Sequence, residues 1–433
     1  MKKIEFSREI PVMHDTDVIV AGGGIAGTCA ACAAAGMGMK TALIERFATL
    51  GGDGVAGGVR GFCGETRGQG KTFDEIIHDL EQFGAIGPYR PARQSGLGGR
   101  HYDHEILALV LQELALRHGI TLFLHAMAVD VVKDQGKIKG LVVAGKSGLG
   151  LVAGKVVIDC TGDADVAAAA GCETMKGRPG DGLQLPMSLI FFARRGTLLR
   201  RGPAIPASYV TMPPIETKDG LPMTSISRVG STGKSIKIKV PGFDGTSSEQ
   251  LTSAEIQGRR KMMQVLDYYR RVEKKNWELD HCSPMIGIRE GRRIHGEYTL
   301  TVDDVRAGRQ FSDAVAVGCY QLDAHDPTDD KRTYILPVNE LKVPPYQIPA
   351  RSLIPKGMHD LLVAGRNVSA DQLALSSARV MTTCAMTGQA AGIVAAISIQ
   401  KGCSVQDMAS VHYGALRKCL DDAGMQIDLA FYQ

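Results

Sequence analysis

Residues 17–46 read DVIVAGGGIAGTCAACAAAGMGMKTALIER, and this stretch decides the fold. An apolar run from Val18 to Ala21 enters three glycines, a segment of small residues from Thr28 to Ala35 follows, and a second apolar run from Thr41 to Ile44 ends on Glu45. The pattern is strand, tight turn, helix, strand. Gly22, Gly24 and Gly27 hold the Gly-x-Gly-x-x-Gly spacing, which allows a tight turn, close backbone approach to a pyrophosphate and close packing of helix on sheet. Phosphate oxygens can then sit at the helix N-terminus, beside Ile25 and Ala26. Glu45 lies 21 residues beyond Gly24, where an acid can hold a ribose hydroxyl pair, and Arg46 adjoins it. A dinucleotide site is expected.

NAD and FAD share an ADP half, so this motif does not choose between them. The next glycine cluster, RFATLGGDGVAGG at 46–58, does more. Gly51 and Gly52, directly after the acid-ended strand, resemble the loop that passes the pyrophosphate and ribityl chain in flavoproteins, although the same glycines would suit a surface loop. FAD is the favoured cofactor.

The 433 residues exceed what one hydrophobic core organises, about 250–300, so two joined domains are expected. Fifty basic and 46 acidic residues leave a net charge of only +4, spread along the chain, which implies neither nucleic acid nor a membrane surface as partner. The opening MKKIEFSREIPVMHDTD is broken by charges and proline where a secretion signal needs its apolar segment, and no stretch has the roughly 18 uninterrupted apolar residues of a spanning helix. A soluble cytoplasmic protein is expected. The ten cysteines are scattered in apolar settings and read as reduced core residues, Cys29-x-x-Cys32 included, because that pair lies in the small-residue helix. Cys63, in a glycine-rich loop, could face a ligand, with a buried inert thiol as the simpler reading.

Along the chain, Lys3 to Pro11 reads as a lead-in strand or arm. Residues 60–99 are glycine-rich and read as a mobile insertion over the cofactor, carrying one helix near Thr72 to Phe83. Asp103 to His118 is an amphipathic helix with Asp103 as N-cap. Strands are expected at Ile120 to Leu124, Ala128 to Val132 and Lys137 to Val143, forming a three-stranded crossover; Val129 is expected to touch the cofactor. KVVIDCTG at 155–162 is a buried strand ending in Thr161 and Gly162, as in flavoproteins whose backbone passes the FAD there, and Asp163 reads as a helix cap. From Leu185 to Pro349 the composition shifts, and Ile236, Ile238 and Val240 alternate with lysines as in half-exposed antiparallel strands; a helix follows from Ser253 to Lys275. Near the end, DLLVAG at 360–365 is another buried strand, ending at Gly365 and Arg366. A small-residue helix over 380–398 follows Arg379 and carries Thr387 and Gly388; its N-terminus would favour an anionic reduced flavin.

Taken together, DVIVAGGGIAG, ERFATLGG, VVIDCTGDADVA, GIREGRRIHGEYTLTVDDV (Gly287 to Val305) and LLVAGRNVSA with ARVMTTCAMTGQAAG resemble the FAD-dependent oxidoreductase family of glutathione-reductase-2-like flavoproteins over nearly the whole length. Gly291 departs from the serine usual in that strip. The resemblance implies an α/β fold: a Rossmann-like FAD-binding domain, with a parallel sheet and three-stranded crossover, built from 1–184 and 350–433, plus an inserted mixed, β-rich substrate domain at 185–349. It implies cofactor and reaction type, not substrate.

Only one dinucleotide turn is present, so electrons must pass through a substrate, a partner or oxygen at one flavin. Hydride transfer between a substrate carbon and flavin N5 is expected. Arg289, Arg292 and His295, in an arginine-rich strip, would suit a small anionic substrate, the arginines sharing a face if the strip is helical; structural ion pairs would explain them equally well. Arg379 is a second anchor candidate. His101 and Tyr102 are candidate acid or base groups, as is His325, although single histidines at such places are usually surface or turn residues. The alternatives are an FAD-carrying electron-transfer subunit with a redox partner protein, and a flavin-sensing protein without turnover. Self-association is left open.

Overall fold

At the C-terminal end of the middle strand of a five-stranded parallel sheet, the chain makes its glycine turn. The computed structural model describes residues 4–91, 98–196 and 204–432. The strand order is Leu361–Val363, Val156–Asp159, Val18–Ala21, Thr41–Ile44, Thr121–Phe123. Helices cover the sheet, so its inner strands are buried throughout and mostly apolar, with Thr41 and Asp159 at their ends, rather than alternating. Helix Ile25–Gly36 starts at the turn, and the long helix Met381–Lys401 lies against it. The contact needs glycine: a Cβ on Gly388 would stand 2.1 Å from the Ala26 carbonyl oxygen, and one on Gly392 would stand 2.3 Å from that of Ala30. Met381–Lys401 is also long and apolar enough to cross a membrane, with mean hydropathy 1.3, contrary to the expectation from uninterrupted apolar runs. Here it is a core helix, 94% buried over its most apolar window.

A second sheet runs in the order Val12–Asp15, Gly148–Ala153, Lys137–Gly145, Met127–Asp134. This is the crossover, with one correction. Thr121–Phe123 belongs to the parallel sheet, and the third crossover strand is Gly148–Ala153, whose glycines hide its strand pattern. The lead-in strand forms at Val12–Asp15 rather than before Pro11, on the edge beside Leu151 to Ala153; Lys3 lies outside the described residues.

The expected insertion is anchored. Helix Lys71–Gln82 buries Phe73, Ile76 and Leu80 in the main core, and Gly61–Cys63 pairs with Gly99–His101. Residues 92–97 of that stretch lie outside the described residues. Helix His104–Arg117 is capped as expected, the Asp103 carboxylate accepting from Glu105 N at 3.0 Å.

The third sheet is antiparallel, in the order Thr224–Val229, Gly233–Val240, Met187–Arg195, Trp277–Cys282. Leu189, Phe191, Ile236 and Ile238 pack against Val265 and Met262 of helix Ser248–Arg271. The opposite face, expected to meet solvent, is covered. Lys239 is fully buried and donates to the carbonyls of Asp326, Asp329 and Arg332. The span expected as one substrate domain divides: Ile294, Leu300, Val305, Val315 and Tyr346 join the core of the parallel sheet. A composition shift does not reveal where a chain re-enters an existing core.

Candidate active site

An open groove of about 1120 Å³ runs along the C-terminal edge of the parallel sheet. At one end it is lined by Glu45, Arg46, Ala126, Met127 and Ala128; in the middle by Gly22, Gly24, Ile25, Ala26, Thr161, Gly162 and Arg366; at the other by Gly51 to Gly54, Met285, Ile288, Gly365, Arg379, Met381 and Cys384. Crevices outside the carboxyl ends of such strands are where this topology binds ligands.

The three motif glycines have different jobs. Gly22 sits at φ +96°, and a Cβ there would press on the Cys160 carbonyl at 2.3 Å. On Gly27 it would lie 1.8 Å from the Gly22 oxygen. These two are demanded by the protein itself. Gly24 has an ordinary φ of −63°, and its Cβ would meet nothing within 4 Å, yet it lines the groove. Glu45 fixes the turn from below, its two oxygens accepting from Gly23 N at 2.6 Å and Phe47 N at 2.8 Å.

Several expected site residues lie elsewhere. Thr387 and Gly388 are buried behind the groove wall, Thr387 Oγ1 accepting from Gly365 N at 3.3 Å and Gly388 seating the helix contact. Val129 is the bulged residue between Ala128 and Asp130 and is half exposed; its neighbour Ala128 lines the groove. The arginine-rich strip is not helical: Arg293–Ile294 pairs with Thr174–Met175. Arg292 instead braces the Thr161–Asp165 loop through the Asp163 carbonyl at 3.0 Å and the Asp165 carboxylate at 2.5 Å. His295 faces outward, 3.7 Å from Glu173, and His101 is exposed with its ring near the Arg60 carbonyl. Tyr102 is buried and donates to Val59 O at 2.8 Å, supporting the Gly51 to Gly54 loop from behind. Asp163 does not cap the following helix. Its Oδ1 receives Arg366 Nη1 at 2.5 Å, and it fills the space a Gly291 side chain would need, a Cβ there coming within 2.0 Å.

Beyond Arg379 the groove meets an enclosed charged cluster under the antiparallel sheet. Asp323 receives Arg379 Nη2 at 2.8 Å and lies 3.2 Å from His325 Nε2. Arg289 is buried and donates through Nη1 to Pro186 O and Ser188 Oγ, both at 2.7 Å. Lys237, on the sheet's inner face, feels the charges of Arg289, Asp323, Cys63 and Arg379 through space. Burial, reinforced by Arg289, pushes the Lys237 ammonium down to about 8 and the His325 imidazolium to about 3. Burial opposes ionisation of Asp323, yet His325, Arg379 and Arg289 hold its carboxyl below the usual range. Burial pushes the Cys63 thiol up, away from a reactive thiolate. Lys237 escapes the sequence reading because alternating lysines look like a solvated face, and Asp323 because it sits in a polar loop, DAHDP. His325, read as a surface or turn residue, is 2% exposed.

A family model described as FAD dependent oxidoreductase matches residues 17–420. The chain belongs to the FAD-dependent oxidoreductases. Comparison with curated proteins finds no match. Among solved structures, p-nitrophenol 4-monooxygenase from Pseudomonas putida DLL-E4 is similar with a TM-score of 0.50 at 10% identity, over 92% of this chain and 84% of that one. A geranylgeranyl bacteriochlorophyll reductase-like protein from Thermoplasma acidophilum gives 0.46 at 14% identity, over 94% and 84%. At 10% identity the likeness to the monooxygenase speaks to the fold alone.

The groove of this oxidoreductase fits FAD. No side chain caps helix Ile25–Gly36, so its first N–H groups remain for phosphate oxygens, and the vacant space at Gly24 lies beside them. Room that no protein atom uses, next to uncapped donors, suits a pyrophosphate.

Proposed function

We propose that this oxidoreductase transfers a hydride between a small organic substrate and FAD held along the groove, with the substrate at the Arg379 end. What carries the reading is the junction of groove and cluster: the lining ends at Ile288, Arg379 and Met381, and Arg379 is paired to Asp323 of the enclosed cluster. A single dinucleotide turn leaves one place for electrons to enter and leave.

FAD supplies the two-electron acceptor. The chain's own residues bind and orient. Each Glu45 oxygen, already accepting one backbone N–H, keeps a lone pair for a ribose hydroxyl. Gly22, Gly24, Ile25, Ala26 and the close-packed Gly27 shape the pyrophosphate turn, with Arg46, Gly51, Gly52, Thr161, Gly162, Gly365 and Arg366 along the walls. Asp323, held ionised, can only accept, so His325 Nε2 carries the ring hydrogen and Nδ1 is left as the acceptor. That Nδ1 is buried without a partner. A neutral imidazole with a free acceptor, oriented by a carboxylate, can accept the hydrogen bond of a substrate hydroxyl or amine, and a bound anion that offsets Arg289 would restore part of the basicity that burial and Arg289 remove, for taking that proton as the hydride leaves carbon.

The test is the visible spectrum of purified protein, followed anaerobically while metabolite pools are added. Bleaching of the flavin band by one pool is expected, and His325→Gln should slow it by about 10²-fold or more without loss of bound FAD. A flavin that no pool bleaches, yet that dithionite reduces, would remove the reading.

A further inference from the structure

The enclosed cluster carries more positive charge than it can match. Among the described residues, Arg379 is paired with Asp323, and Lys239 is satisfied by three carbonyl oxygens. Arg289 has only neutral partners, Pro186 O and Ser188 Oγ, both through Nη1, which leaves Nη2 and Nε unengaged. The Lys237 ammonium makes no ion pair or hydrogen bond among those residues, and protein covers most but not all of its side chain. The carboxylate that attracts both cations, Asp323, is already engaged by Arg379 and His325, and cations enclosed without an ion pair of their own are expensive to hold, since an unpaired buried charge destabilises a protein by several kcal/mol. A second sign points the same way: Arg379 Nε and His325 Nδ1 are both buried without partners.

The framework for these charges is rigid. Lys237 stands on the central part of the antiparallel sheet, opposite Ile190 and Ser225, with Ser188 and its arginine partner two residues along on the same face, opposite Lys239. Sites for phosphate groups are commonly built from successive backbone N–H groups in a nest. The donors here are side chains: an ammonium on one face of the sheet, and a guanidinium tied through Ser188 to that same face with one edge free. A free guanidinium edge pairs with the two oxygens of a planar carboxylate, and a nearby ammonium adds a second positive charge.

We propose that Lys237 and Arg289 bind the substrate through a carboxylate, which makes the substrate an organic acid. The inference rests on the hydride-transfer reading for the word substrate, but the binding site stands independently of it. Bound there, a carboxylate neutralises the unmatched charge and sets the rest of the molecule between His325 and the flavin end of the groove.

The holoprotein would be titrated with sodium acetate and sodium succinate, at constant ionic strength, while the flavin absorption band is recorded. Chloride and inorganic phosphate serve as controls. A saturable band shift with the carboxylates and none with chloride is expected. Lys237→Met should weaken it by about tenfold or more, and Lys237→Arg should restore it to within about threefold, with FAD content and circular dichroism unchanged. Arg289→Lys, which keeps the charge but loses the fork, should also weaken it. The inference falls if neither carboxylate gives a saturable shift, if phosphate binds more tightly than both, or if Lys237→Met binds as wild type does. Saturable carboxylate binding with no bleaching by any metabolite would leave this inference standing and remove hydride transfer. Bleaching by a neutral metabolite, unimpeded by acetate or succinate, would do the reverse.

Discussion

Glu45 and Gly23 are joined by a hydrogen bond of 2.6 Å, from the turn's backbone N–H to a carboxylate at the end of the neighbouring strand. One side chain therefore sets the turn's shape and lines the groove at the end proposed for the ribose. Glu45→Gln keeps the size but weakens acceptance by one oxygen, and should loosen FAD by about tenfold; Glu45→Ala should do so by about a hundredfold. Fluorescence titration of stripped protein with FAD measures this, and unchanged affinity in Glu45→Ala would exclude a ribose contact.

Gly24 and Gly27 separate ligand space from packing space. Gly24→Ala should leave the melting temperature of the stripped protein unchanged while lowering FAD affinity, because its Cβ meets no protein atom within 4 Å. Gly27→Ala should destabilise the stripped protein by about 1–3 kcal/mol, because its Cβ would overlap the Gly22 oxygen. Thermal melts with and without excess FAD distinguish the two, and equal losses of stability would contradict the assignment.

Arg366 holds Asp163 and, through space, the buried Asp53. Arg366→Met leaves both carboxyls without their cation and should cost about 3–5 kcal/mol in urea unfolding. Adding Asp163→Asn should recover part of the loss. No recovery in the double variant would show that the arginine acts through packing instead.

Lys237 makes stability depend on alkaline pH. Its folded-state value of about 8 lies below the ordinary 10.5, so between these values the unfolded chain binds more protons and stability rises with pH. The groups facing it are Arg289, Asp323, Cys63 and Arg379. The buried cysteines and tyrosines act in the opposite sense above pH 9, so the quantity to compare is wild type minus Lys237→Met. That difference should grow in favour of wild type from about pH 8 to 10.5, as read by urea unfolding of stripped protein, and a flat difference would mean the ammonium is not held at a charge penalty.

The sequence alone determined the strand, turn and helix of residues 18–44, the acid at Glu45, the strand ends at Thr161 and Gly365, and hence a cofactor groove along the parallel sheet. These are local matters: glycine spacing, unbroken apolar runs and caps act within a few residues. Tertiary structure decided the rest. Gly388 looks like a ligand-facing glycine until helix Ile25–Gly36 is seen against it, and Lys237 and Lys239 look like a wet strand face until the 323–332 segment covers it. His101, Arg292 and His295 carry the right chemistry at the wrong place, whereas Asp323, His325, Arg289 and Lys237, separated by up to 88 positions, are brought together only when the antiparallel sheet closes over the groove's end. Local pattern fixes what a segment becomes, but which side chains lose their water depends on what packs over them, and burial without a partner is what marks the charged site.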